Sequence, residues 1–97
     1  MLNHIVFYKL QDNSLANIEK VRDVFLGMKG KIKQLKYIEI GIDVLHSERS
    51  YDLALITKFD SLDDFRAYKE NPIHVEVSKY IHSVWKESAS VDYETLD

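Results

Sequence analysis

Tyr37-Ile38-Glu39-Ile40-Gly41-Ile42-Asp43-Val44-Leu45, then His46-Ser47-Glu48-Arg49-Ser50, then Tyr51-Asp52-Leu53-Ala54-Leu55-Ile56-Thr57-Lys58-Phe59, is the stretch that decides the fold. In its first part Ile38, Ile40, Ile42 and Val44 fall on one side, and Tyr37, Glu39, Gly41 and Asp43 on the other. A period of two with one strongly apolar side marks a long strand over Tyr37 to Leu45. The last part alternates as well: Tyr51, Leu53, Leu55 and Phe59 oppose Ala54 and Ile56, a strand over Tyr51 to Phe59. The polar turn between the two can join only antiparallel neighbours, because a parallel pair needs a crossover of about a dozen residues or more.

On the N-terminal side the period changes. Ile18, Val21, Phe25 and Met28 recur at spacings of three and four, which makes one buried helical stripe. Ser14 is its N-cap and Gly30 lies near its end, although Ile32 and Leu35 continue the phase and leave that boundary open. Before it, His4 to Leu10 reads as a strand with Ile5 and Phe7 on one face and His4, Val6 and Tyr8 on the other. Both faces are apolar, so this strand is expected to be central and covered on both sides.

On the C-terminal side, Ser61-Leu62-Asp63-Asp64 has the form of a capping box with a shorter acid. It opens a short helix carrying Leu62, Phe65 and Tyr68. Asn71-Pro72 breaks that helix, and Pro72 suits the first turn of another, where its missing N–H is not needed. Ile73, Val77, Tyr80, Ile81, Val84 and Trp85 form the apolar arc of the second piece, and a last strand runs from about Glu87 to Tyr93. Strand, helix, strand, strand, helix, strand is the ferredoxin-like order. The expected class is α+β, one domain over residues 1–97, with a four-stranded antiparallel sheet and helices on one face. The sheet's other face is too apolar to stay open, and a second copy is its simplest cover, so a homodimer is expected, with much of the Ile38-to-Val44 strand under the partner.

Composition narrows the function. The net charge of −3 gives no general attraction to a phosphate backbone, so no nucleic-acid partner is expected. The absence of cysteine excludes disulfides, thiolate catalysis and thiolate metal sites, and fits a cytoplasmic protein. The start, Met1-Leu2-Asn3-His4, does not read as a signal peptide, and no apolar run approaches the ~20 residues of a membrane span, so no membrane partner is expected. The four histidines lack ligand spacing, and no phosphate loop or nucleotide motif occurs, so neither a metal nor a cofactor is expected.

Four segments in order carry a resemblance that covers essentially the whole chain. They are Asn3-His4-Ile5-Val6-Phe7-Tyr8-Lys9-Leu10; Arg49-Ser50-Tyr51-Asp52-Leu53-Ala54-Leu55 leading into Phe59-Asp60-Ser61-Leu62-Asp63-Asp64-Phe65; Tyr68-Lys69-Glu70-Asn71-Pro72-Ile73-His74; and Ser90-Val91-Asp92-Tyr93. Together they resemble the stress-responsive dimeric α/β-barrel (Dabb) family. The resemblance implies a ferredoxin-like protomer whose sheet joins another's into a barrel-like dimer, with a pocket between sheet and helices. One plant branch of that family contains polyketide cyclases that close an aromatic ring by aldol chemistry without a cofactor. By position, the resemblance implies His74 as a base, Tyr68 as the group that positions a carbonyl, and His4 as a further site residue. The chain departs from the pattern at Asn71, where many members have histidine, and at Leu53, where the cyclases have another. It also has Ser88 and Ser90 where their pocket is apolar.

The residue types suit such a task. An imidazole titrates at ~6.5, close to working pH, and a phenol at ~10 stays protonated as a donor. The expected lining of the pocket is Val6, Tyr8, Leu53, Leu55, Val77 and Trp85. Other roles stand beside these. His74 suits a buried, hydrogen-bonded structural histidine, His4 can bond a neighbouring backbone group, and the Tyr68 ring packs at helical spacing from Leu62 and Phe65. His46 and His82 read as surface residues, and Tyr80 as core or interface. Three functions follow: a domain that binds a small apolar or aromatic carbonyl ligand, a cofactor-free enzyme of cyclase or small-monooxygenase type with His74 as base, or a structural dimerisation module.

Overall fold

In the computed structural model, which describes residues 1–96, the two strands of the deciding stretch pair antiparallel. They are β2 (Tyr37–Ile42) and β3 (Leu53–Phe59), flanked by β1 (Leu2–Leu10), α1 (Leu15–Leu26), α2 (Leu62–Glu70), α3 (Pro72–Val84) and β4 (Trp85–Glu94). The sheet has the order β2-β3-β1-β4, and every neighbouring pair is antiparallel. This is the ferredoxin-like fold, with β1 in the interior of the sheet as its two apolar faces require. No helix among the described residues is long and apolar enough to cross a membrane.

Local chemistry fixes the helix ends. The Ser14 hydroxyl accepts from the Asn17 amide at 3.4 Å, and the Ser61 hydroxyl from the Asp64 amide at 3.1 Å. Each thereby satisfies one of the orphan donors of a first turn. Asn71 serves two helices: its amide donates to the Tyr68 carbonyl at 3.1 Å, and its side chain accepts from the Ile73 amide at 2.9 Å. The α2–α3 break therefore has a fixed geometry. α1 ends four residues before Gly30, which takes a left-handed φ of 76° in the following turn. That turn carries Met28 and Ile32 back into the core, so the apolar phase outlives the helix.

The register assigns the faces. Val6 pairs with Leu55, Tyr8 with Leu53 and Leu2 with Phe59, and all of these side chains lie buried beneath the helices. Ile40 pairs with Leu55 and Ile42 with Leu53, so the apolar side of β2 also faces the helices. This corrects the expectation that the strand's isoleucines lie under a partner. The open face is instead made by Ile5 and Phe7 of β1, Ala54 and Ile56 of β3, Tyr37 of β2, and Ala89, Val91 and Tyr93 of β4.

The expected strand over Tyr37 to Leu45 is three residues too long, and Val44 and Leu45 are 89% and 76% exposed. Asp43 ends it. Its carboxylate accepts from the His46 amide at 2.7 Å and bends the chain, with His46 at a positive φ of 55°. β3 likewise starts at Leu53, not Tyr51. Asp52 is drawn to β1, where its carboxylate accepts from the Leu10 amide and its own amide donates to the Tyr8 carbonyl, both at 2.8 Å. Because Ile40 faces the core, Ile40→Asp should destabilise the folded chain by roughly 2 kcal/mol or more, the cost of placing a charge among apolar side chains. Urea denaturation measures this, and an unchanged midpoint would contradict the assigned register.

Candidate functional site

The helix-facing side of β1 carries one polar side chain, His4, in an otherwise apolar series of Leu2, Val6, Tyr8 and Leu10. On β3 its neighbour is Thr57, whose hydroxyl donates to the His4 carbonyl at 3.4 Å. On β4 its neighbour is Asp92, and the His4 Nδ1 is hydrogen-bonded to the Asp92 carboxylate. Above the sheet the His4 ring lies 4.7 Å from the ring of Phe65 on α2. One turn along α2, Tyr68 stacks on Phe65 at 6.2 Å. The Tyr68 ring in turn meets the His74 ring, in the first turn of α3, at 4.3 Å. The three expected site residues thus belong to one aromatic row, His4, Phe65, Tyr68 and His74, laid over the β1 end of the core.

The hydrogen bonds define the tautomers. A carboxylate and a peptide carbonyl only accept. His4 Nδ1, facing Asp92, must therefore carry a proton, and so must His74 Nδ1, which donates to the Lys69 carbonyl at 3.2 Å. In the neutral ring each histidine is left with a bare Nε2. Burial holds His74 below the usual imidazole value. Its bond to the Lys69 carbonyl opposes the drop, while the nearby His4 imidazole and Lys69 ammonium add to it.

The phenols are held protonated. Burial pushes Tyr8 up to about 12, and burial together with the neighbouring Tyr8 raises Tyr68 further. The Tyr68 hydroxyl is directed into the core and, among the described residues, donates only to the Met28 thioether at 3.9 Å, a weak acceptor. The Tyr80 hydroxyl is buried without a partner among the described residues.

Of the expected lining, Val6, Tyr8, Leu53 and Leu55 are buried core, and Val77 and Trp85 pack against it. Tyr8 stacks on Phe25 at 5.6 Å and approaches Trp85 at 6.1 Å. A groove of about 440 Å³ reaches His74 along the outer side of α3, lined by Lys69, Val75, Ser78, Lys79 and His82. Among the described residues no three histidine or acidic side chains converge as a metal cage. Asp92 and Phe65 were not singled out in the sequence as site residues. Asp92 was accessible there, because two strands pairing at the chain's two ends with alternating faces bring it beside His4.

The family model for the stress responsive A/B barrel domain, Dabb, matches residues 2–95. The chain belongs to the Dabb family. An uncharacterized protein of Streptomyces coelicolor is 27% identical over 97% of this Dabb chain and 99% of its own length. A dimeric protein of unknown function and ferredoxin-like fold from Bacteroides fragilis is 31% identical over 97% of this chain and 95% of its own, with a TM-score of 0.80. The hydroxynitrile lyase of Passiflora edulis superposes with a TM-score of 0.83 over 99% of this chain and 96% of its own; at 19% identity this likeness is one of fold.

The depressed His74 has a consequence for stability. The unfolded chain binds a proton at ~6.5 that the folded chain resists, so the contribution is present above that pH and is lost as pH falls below it. Urea denaturation from pH 7.5 downwards should show stability declining, with a shallower decline in His74→Gln. Identical slopes in parent and variant would contradict the assigned environment.

Proposed function

We propose that this Dabb domain is a homodimeric binder of a small apolar or aromatic carbonyl compound, and that the ligand lies against the His4–Phe65–Tyr68–His74 row. The observation that carries the reading is the pair of imidazoles on one aromatic row, each with Nδ1 tied to an acceptor and Nε2 left bare. Two free acceptors flanked by aromatic rings suit a ligand with a flat apolar body and an acidic O–H or C–H.

The dimer reading rests on the open face. Phe7, Tyr37, Val91 and Tyr93 are large, apolar-bodied and exposed there, and a second copy would cover them. The dimeric Bacteroides fragilis relative supports this assembly.

Each half of the reading has its own measurement. Titration with a panel of small aromatic β-keto compounds, ethyl benzoylacetate and benzoylacetone among them, should shift the imidazole resonances of His4 and His74 and leave that of His46 in place. Shifts confined to His46, or none, would contradict it. Light scattering at micromolar concentration should give twice the chain mass for the parent and the chain mass for Phe7→Asp, with circular dichroism unchanged because Phe7 is exposed in the protomer. A monomeric parent would contradict the dimer.

A further inference from the structure

A second cleft lies away from the histidine row, where the connection from α1 meets the first residues of β2. Its volume is about 310 Å³, and Lys29, Gly30, Leu35, Lys36, Tyr37 and Ile38 line it. Because β2 is an edge strand, the cleft lies at the margin of the sheet. We propose that it binds a small organic carboxylate. The apolar body rests on Leu35, Ile38 and the Tyr37 ring, and the carboxylate head meets the ammonium groups of Lys29 and Lys36. This site is separate from the row and does not depend on the function proposed for it.

The charge of this segment is opposite to that of the chain. The chain as a whole carries −3, yet between Asp23 and Glu39 it has Lys29, Lys31, Lys33 and Lys36 and no carboxylate. The fold holds these lysines outward. Met28 and Ile32 are buried, and the alternating Lys29, Lys31 and Lys33 are exposed. Backbone bonds pin the connection: the Lys31 amide donates to the Met28 carbonyl at 3.1 Å, the Leu35 amide to the Ile32 carbonyl at 3.1 Å, and the Lys36 amide to the Lys58 carbonyl at 3.0 Å. Gly30 supplies the left-handed turn at a φ of 76°, and a Cβ there would meet nothing within 4 Å, so the space beside it is open. Lys58, paired with Tyr37 across the ladder, sets its ammonium 4.9 Å above the Tyr37 ring and adds to the positive field.

The neighbouring acids leave that field uncancelled. The Glu39 carboxylate accepts from the Tyr37 hydroxyl at 2.6 Å. Asp60 lies 3.9 Å from the Lys36 ammonium, but both side chains are largely in water, where such a pair contributes little. Lys29, Lys31 and Lys33 form no ion pair among the described residues. A neutral occupant would gain only the apolar floor, whereas an anion also offsets the mutual repulsion of the lysines. Small-molecule sites span roughly 300–1,000 Å³. A cleft at the lower end of that range suits one ring or a short chain with a single charged head.

The experiment titrates the full chain with 4-phenylbutyrate and follows the amide resonances by NMR. The amides of Gly30, Leu35 and Ile38 should shift. The uncharged analogue 4-phenyl-1-butanol, which keeps the apolar body, should bind about tenfold or more weakly. Lys29→Gln combined with Lys36→Gln removes two charge-assisted contacts, so it should weaken 4-phenylbutyrate about tenfold or more and leave the alcohol within twofold. Both lysines are exposed, so the circular dichroism should not change. Lys86→Gln, at an exposed lysine of β4 outside the patch, should bind the acid as the parent does.

Equal affinity for the acid and the alcohol overturns the assignment. So does a loss in Lys86→Gln as large as in the double variant, or amide shifts confined to the His4–His74 row. A parent that binds no 4-phenylbutyrate at millimolar concentration overturns it too, and leaves the reading of the row in place.

Discussion

The site depends on the register of β1 between β3 and β4. Because successive side chains in a strand point to opposite faces, a slip of one residue would turn His4, Val6 and Tyr8 to the open side and bring Ile5 and Phe7 beneath the helices. Val6 opposite Leu55 and Tyr8 opposite Leu53 bury their side chains only in the observed register. The same pairing that closes the core therefore sets His4 beside Asp92 on one flank and Thr57 on the other. Packing energy holds the polar pair in place. Contacts at the ends of the strands oppose a slip as well: Asp52 is bonded to the backbone of Leu10 and Tyr8, and the buried Asn3 donates to Thr95.

The helices complete the row by a different means. α2 brings Phe65 and Tyr68 over β1 one turn apart, and the Asn71-Pro72 break redirects the chain so that His74 returns onto the Tyr68 ring. Asn71 holds that break with hydrogen bonds to both helices. A histidine in the first turn after such a break gains a nearby carbonyl from the last turn of the preceding helix, which is how Lys69 comes to accept from it. The geometry of His74 is thus a by-product of helix capping, and that of His4 a by-product of strand pairing.

Much of the fold was legible in the sequence, because hydrophobic period changes sharply at its element boundaries. Ser14, Ser61 and Pro72 marked helix starts that the structure keeps. What escaped was set by tertiary contacts. The end of β2 is decided by a side-chain bond from Asp43 to the His46 amide, which no alternation of residues reveals. The direction of the β2 isoleucines could not be read from one strand alone, since a one-sided apolar strand fits a helix layer or a partner equally well. At the site, His4, Tyr68 and His74 were legible as residue types in position. Asp92 was legible only by carrying the strand order through to the pairing of β1 with β4, which sets it beside a residue at the opposite end of the chain.

The central physical claim is that both histidines of the row carry their proton on Nδ1, against an Asp92 carboxylate in one case and the Lys69 carbonyl in the other. Long-range proton–nitrogen correlation of the histidine side chains distinguishes the two ring nitrogens directly. For the neutral form of each ring in the free protein, the account predicts a protonated Nδ1 and an unprotonated Nε2 at both His4 and His74. The opposite tautomer at His4, with Nε2 protonated and Nδ1 bare, would contradict it.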